Sequence, residues 1–398
     1  MKRYDILDGF RGYFLVFMLV NHLAFQGGSL VARFNHAELG YVQDAQGFIF
    51  ISGLIVGLYY ARGYLKGNAA ATDRKLLARC WLLYRYSLAL VAFVFALAFV
   101  LPGAEVWWGA YFPEFFRDAV TTTIGAALLL YQPTFMDILP QYILYILVSP
   151  FLIRLVLNGR ADLVIAASIV CWLTVQFGHH VPMIAGIEAL GQAIDSDFIT
   201  RAAFKPMAWQ ILFVGGLVIG CGITAGTLDL DAWFSPRRRA LFAVAVGLVL
   251  LFLVYRLGFT LGYLPEDVGN RFLAHDNRNE FSLVYLVNFI ALGYAMTWIL
   301  RCGGESDSVF LRALAGFMHR LFGLGFLRFI GQHSLQVYAY HVGLIYLVFI
   351  LDRRYGPLSE PLKAAITVAG VASLWIPAWL HARYRESAAA MPKRAASA

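Results

Sequence analysis

Residues 7–22 read LDGFRGYFLVFMLVNH, and the fold turns on whether this stretch crosses a membrane. Residues 13–20 are all apolar, as a membrane helix requires. Asp8, Arg11, Asn21 and His22 flank that run. Ionisable groups are costly in hydrocarbon unless they pair or face water, so their presence needs a reason. Lys2 and Arg3 followed by an apolar run also suit a secretory leader. The polar residues are foreign to a leader's apolar core, and the stretch reads as a retained first helix.

The remainder of the chain has the same character. Of its 398 residues, 60% are hydrophobic and 14% charged, against about 25% charged in a soluble domain. Apolar blocks of spanning length lie near 12–27, 46–63, 79–101, 138–157, 162–178, 207–226, 239–258, 281–300, 331–351 and 361–380. Short alternating segments, the mark of a β-barrel, are not the pattern here. The expectation is an all-α polytopic membrane protein with about ten transmembrane helices. One transmembrane domain covers 1–382, and the Ala-rich 383–398 reads as a disordered cytoplasmic tail.

The run 119–131 is short for a crossing and reads as interfacial or re-entrant. With ten crossings and both termini in the cytoplasm, most Lys and Arg fall on the cytoplasmic side, as in RGYLKGNAAATDRKLLAR and SPRRR. Counting 119–131 as a crossing would place SPRRR outside. The net charge of +8 therefore reflects topology. It forms no basic stripe interleaved with aromatics, as nucleic-acid binding requires. Four cysteines show no metal-ligand spacing and no disulfide framework. No internal repeat is evident, which counts against a transporter.

An α-helix turns about 100° per residue, so Arg11 and His22, eleven apart, share a face to within about 20°. Asp8 precedes Arg11 by three, a pairing distance. A late block, FIGQHSLQVYAYHVGLIY, sets Ser334, Tyr338 and His341 on one helical face. His22 and His341 come at similar depth and can line one chamber; interhelix hydrogen bonding alone is the plainer role for the tyrosines. Asp137 and Gln141 are spaced i, i+4 where an outer helix starts, with Asp137 either capping that helix or orienting a histidine. Trp209 and Gln210 stand at the outer end of another helix. Gly53 and Gly57 have GxxxG spacing, which favours close helix packing over catalysis.

On these residues the chain resembles the family 3 membrane acyltransferases. LDGFRG with a histidine eleven residues after its arginine is similar to their first helix, FIFISGLIVG to their second, and GQHSLQVYAYH to a late G-x-x-S-x-x-x-Y-x-x-H motif. MDILPQY and FKPMAWQILFVGG resemble the OpgC branch, succinyltransferases of osmoregulated periplasmic glucans. The resemblance implies a ten-helix bundle in the bacterial inner membrane that moves an acyl group from cytoplasmic acyl-CoA to a carbohydrate hydroxyl outside. It makes His22 the catalytic residue, places Arg11 toward the donor, and implies succinyl-CoA, or acetyl-CoA, as co-substrate. No permanently bound cofactor or metal is expected. HDNRNEFSLVYLVNF departs from the family's Asp-Lys and Pro-x-Arg pattern before that helix, which leaves the acceptor open.

Neutral histidine suits the removal of a hydroxyl proton near pH 7, so His22 is expected as general base. Tyr338, His341 or Ser334 can donate to an oxyanion, and Asp137 can orient the imidazole. An acyl-histidine intermediate is the other chemical route. Asp8, Arg11, Arg79 and Arg85 are the expected donor-side residues, arginine forks being suited to phosphate and carboxylate. Trp209, Gln210 and Gln141 are expected at the acceptor. A non-enzymatic carrier or flippase of glycans or small anions is the rival, since intramembrane His, Arg and Asp also build proton relays.

Overall fold

The structure is a computed structural model that describes residues 5–202, 204–265, 267–268 and 276–395. His275 and residues 396–398 of the expected tail lie outside these. Among the described residues the chain is helical, without strands, and one isolated bridge joins Tyr131 to Arg201. The principal helices are α1 (Asp5–His22), α2 (Asp44–Leu65), α3 (Ala69–Val100), α4 (Ile138–Leu157), α5 (Ala161–Gln176), α6 (His180–Gln192) and α7 (Pro206–Ala225). After them come α8 (Arg239–Thr260), α9 (Leu283–Cys302), α10 (Val309–Phe322), α11 (Gly325–Gln332), α12 (Ser334–Tyr355), α13 (Glu360–Ser373) and α14 (Trp375–Ala395).

Eight helices are long and apolar enough to cross a membrane, or up to 10 if two bent pairs each count as one span. The bent pairs are α5 with α6 at 75° and α10 with α11 at 51°. This is an all-α polytopic membrane protein, but the members differ from those expected. The first helix begins at Asp5 and stops at His22, and its three charged residues exclude it from the count by composition. The segment 301–328, which lies between two of the blocks expected to cross, contains α10 and leads into α11. The block near 331–351 is interrupted at His333. The run 119–131 holds only a nine-residue helix, Ala119–Ala127, whose first turn is capped by Asp118 accepting from Val120 N at 2.9 Å and Thr121 N at 3.2 Å. At about 1.5 Å per residue it is far too short to span. Helix α14 runs on to Ala395, into the segment read as a disordered tail.

By internal contacts the chain divides into two compact units. Unit 1 comprises Met1–Asn35, Ala96–Trp108 and Phe317–Ala398; unit 2 comprises His36–Phe95 and Gly109–Gly316.

In unit 2, α2 and α7 pack backbone to backbone. A Cβ on Gly53 would collide with the Phe213 carbonyl, and one on Gly57 with that of Leu217. Reciprocally, Gly216 abuts the Phe50 carbonyl and Gly220 that of Leu54. Two GxxxG pairs face each other, the arrangement by which helices approach closely in lipid, where the hydrophobic effect gives little drive.

In unit 1 the glycines of LDGFRG do the same work. Gly9 and Gly12 press on the Phe322 and Leu327 carbonyls, and Gly331 of α11 presses on the Asp8 carbonyl. The motif's glycines seat α1 against α11; its arginine is left to turn toward α12.

The connections of unit 2 carry their own polar network. Glu114 accepts from the Tyr131 hydroxyl at 2.6 Å and from Arg201 Nη1 at 2.8 Å. Burial pushes its carboxyl up, but Tyr131 and Arg201 outweigh this and hold it below the usual glutamate range. A lowered folded pKa stabilises above the unfolded value and is lost as pH falls through the folded one. Glu114→Gln is therefore expected to cost about 1 kcal/mol near pH 7. The gap from wild type should close as pH drops below about 4, as read from thermal unfolding against pH.

Candidate functional site

The expected polar face exists within unit 1. Arg11 donates through Nη2 to Ser334 Oγ at the first residue of α12. The His22 and His341 rings stack with centroids 5.6 Å apart and planes at 21°. Tyr338 meets His341 edge-on at 5.0 Å. Beyond His22, Gln26 N donates to Asp352 Oδ2 at 2.8 Å, and Gln26 Nε2 to the Asp352 carbonyl at 2.5 Å. The contacts follow the same order along both elements, so α1 and α12 run parallel. Trp108 Nε1 donates to the Tyr346 carbonyl at 3.0 Å and fixes a short outlying helix on α12.

Burial separates the two histidines. His341 is 0% exposed, and neither ring nitrogen makes a hydrogen bond of ordinary geometry among the described residues. His22 is half-buried and closes α1. The backbone of Val337 and Tyr338 lies within reach of the ring without good alignment, and a buried polar group so poorly partnered is uncommon and costly. Here it lies directly behind a more accessible imidazole. Asp8, one turn before Arg11, is buried.

Sequence reasoning missed the clamped turn just after His22. The turn through Gly27 and Gly28 takes φ of 74° and 77°, values that glycine adopts without strain. Lys363, nearly fully buried, donates to the Gln26 carbonyl at 3.0 Å, the Gly28 carbonyl at 2.6 Å and Glu360 Oε1 at 2.9 Å. Glu360 in turn accepts from Leu30 N at 2.8 Å. Asp352, 0% exposed, holds the near side of the same turn. A signal was present: Asp352 comes eleven residues after His341, the spacing that relates His22 to Arg11. Asp352→Ala is expected to cost about 1–3 kcal/mol of stability. Asp352→Asn, which still accepts from Gln26 N, restores most of the loss. Thermal unfolding of the three proteins in the same detergent checks this.

The remaining expected residues belong to unit 2. Asp137 does not cap its own helix; Oδ2 accepts from Phe204 N at 3.2 Å. Gln141 Nε2 donates to the Phe204 carbonyl at 3.3 Å, and its Oε1 accepts from Tyr145 OH at 3.2 Å. Gln210 exchanges bonds with Ser168 at 2.8 Å and so ties α7 to α5. Trp209 is fully buried, donates to the Asn279 carbonyl at 3.2 Å and packs on Phe204 and Phe281. The polar atoms of these three residues, expected at the acceptor, make bonds inside the protein: Gln141 and Trp209 hold the loops near 204 and 279, and Gln210 ties two helices. Arg79 is half-buried beside Tyr60, and Arg85 is exposed. Among the described residues no group of three or more His, Cys, Asp or Glu is placed to hold a metal.

The family model described as OpgC protein matches residues 3–386, nearly the whole chain. The chain belongs to the OpgC family. No curated protein and no solved structure matches it. OpgC membership fits an acyltransferase-like enzyme. In this OpgC-family chain the matched span takes in all of α1 and α12, the clamped turn at Gln26 and the cluster around Phe204.

Proposed function

We propose that this protein is a membrane O-acyltransferase that moves an acyl group from cytoplasmic acyl-CoA to hydroxyls of a periplasmic glucan or other glycan. Succinyl-CoA is the donor this reading favours, with acetyl-CoA next. The observation that carries it is the half-buried His22 stacked on the fully buried His341, on the face that begins with Arg11 and Ser334. The family match supports an acyltransferase-like chemistry.

In this mechanism the His22 imidazole takes the proton of the acceptor hydroxyl. The oxygen attacks the thioester carbonyl, the C–S bond breaks, and the imidazolium returns its proton to the departing thiolate. The C-terminal end of α1, where His22 sits, carries partial negative charge that favours positive charge developing on the ring. His341 and Tyr338 form the wall behind it, and burial there makes any hydrogen bond to a developing charge stronger. Arg11, fixed by Ser334, faces the donor side.

The test offers purified protein succinyl-CoA or acetyl-CoA with and without a β-glucan, and tracks both free thiol and the mass of the glucan. Thiol release that depends on acceptor, with the matching mass gain, supports the reading and names the donor. No mass gain with either donor and several glucans, in folded protein, overturns it in favour of a carrier.

A further inference from the structure

One loop of unit 2 is held far more firmly than a connection requires. Residues 276–282 precede α9 and are pinned from several sides. Lys205 N and Trp209 Nε1 both donate to the Asn279 carbonyl, at 2.9 and 3.2 Å. Gln176 Nε2 donates to the Glu280 carbonyl at 2.7 Å, and Trp172 Nε1 to that of Phe281 at 2.8 Å. Tyr285 OH donates to Asp276 Oδ1 at 2.6 Å. Inside the loop, Asn277 Oδ1 accepts from Asn279 N at 3.1 Å. The loop's polar atoms are spent on its own support.

Arg278 is the exception. Its guanidinium lies 5.1 Å from the centroid of the Phe204 ring. The guanidinium makes no hydrogen bond and no ion pair among the described residues, and the residue keeps an exposed surface although protein crowds around the charged group. Burial of its surroundings weakens its hold on the proton, while Tyr285, Asp137 and Asp44 act on it electrostatically and strengthen it. A rigid loop thus presents an uncommitted fork of donors, backed by an aromatic face.

The surroundings select the ligand's charge. Asp44 and Asp137 act on this arginine, and Asp276 is held on the neighbouring Tyr285; an anion brought to the site would be repelled by them. A neutral polyol is not repelled, and its oxygens accept from a guanidinium. We propose that Arg278 binds the acceptor, donating to neighbouring hydroxyls of an uncharged carbohydrate. This rests on the acyltransferase reading for its connection to catalysis. The binding itself does not.

The experiment uses the full chain in nanodiscs with a neutral glucose oligosaccharide as probe. Wild type, Arg278→Ala and Arg278→Gln are compared by calorimetric titration without donor, and by acyl transfer with varied oligosaccharide and varied acyl-CoA. Arg278→Ala is expected to weaken binding and raise the acceptor KM about tenfold, the scale of one charge-assisted hydrogen bond. The acyl-CoA KM and the thermal midpoint should stay put. Glutamine, a neutral donor, should recover part of the loss. Equal affinity and acceptor KM in wild type and Arg278→Ala overturn the inference, as does wild type that binds no oligosaccharide. An effect on succinyl-CoA or free succinate in place of the oligosaccharide also overturns it. Binding that depends on Arg278 in a protein that transfers no acyl group would sustain the site and sink the acyltransferase reading alone.

Discussion

His22→Ala is expected to reduce acyl transfer by about 10³-fold, within the roughly 10²–10⁴ range that a positioned general base contributes. The protein should remain folded, because His22 is half-buried at the end of α1 and alanine adds no bulk there. His341→Ala removes the fully buried ring behind it and leaves a cavity. That variant should lose both stability and rate, so the contrast between the two separates chemistry from packing. The comparison is made with initial rates at saturating donor and with thermal unfolding in the same detergent. Transfer that survives His22→Ala at near wild-type rate would keep the enzyme and remove its assigned base.

The second large effect is structural. Gly53→Leu or Gly216→Leu is expected to abolish stable folding of unit 2. In each case the added Cβ meets a backbone carbonyl, which cannot turn aside as a side chain can. Ordinary overpacking costs about 1–3 kcal/mol, and a forced separation of two helices along a paired GxxxG seam should exceed that. The yield of monodisperse protein in detergent is the readout. As a control, Gly247→Leu in α8 has nothing within 4 Å of its Cβ direction and should be tolerated. Equal yields for all three variants would contradict the packing account.

Much of this was legible in the sequence, for reasons particular residues make clear. The block at 138–157 is helix α4 to the residue, because twenty uncharged or terminally charged positions leave few alternatives. The GxxxG reading of Gly53 and Gly57 holds, although its partner glycines on α7 were not foreseen. The spacing of Arg11 and His22, and of Ser334, Tyr338 and His341, placed them on faces that the structure joins. What hydropathy missed is direction. A window average does not report the bend at Gly178, where φ is 73°, or the break at His333. Nor does it reveal a clamp such as Asp352 on Gln26, whose partners lie 326 residues apart. The division into two units also left no trace in composition, since unit 1 is assembled from three separate stretches. Trp209, Gln210 and Gln141 stand at the helix ends that the spacing indicates, but the bonds they make to Asn279, Ser168 and Phe204 join distant stretches of chain that no local pattern relates.

The central claim is that the face of α1 and α12 connects a donor on one side of the membrane with an acceptor on the other through His22. The direct measurement uses proteoliposomes of determined orientation, with succinyl-CoA confined to one side and a neutral glucan to the other. The account predicts acylated glucan when donor and acceptor are on opposite sides, with the donor on the side of the protein's termini, and loss of that product in His22→Ala. Product formed only when both substrates share one side would contradict it.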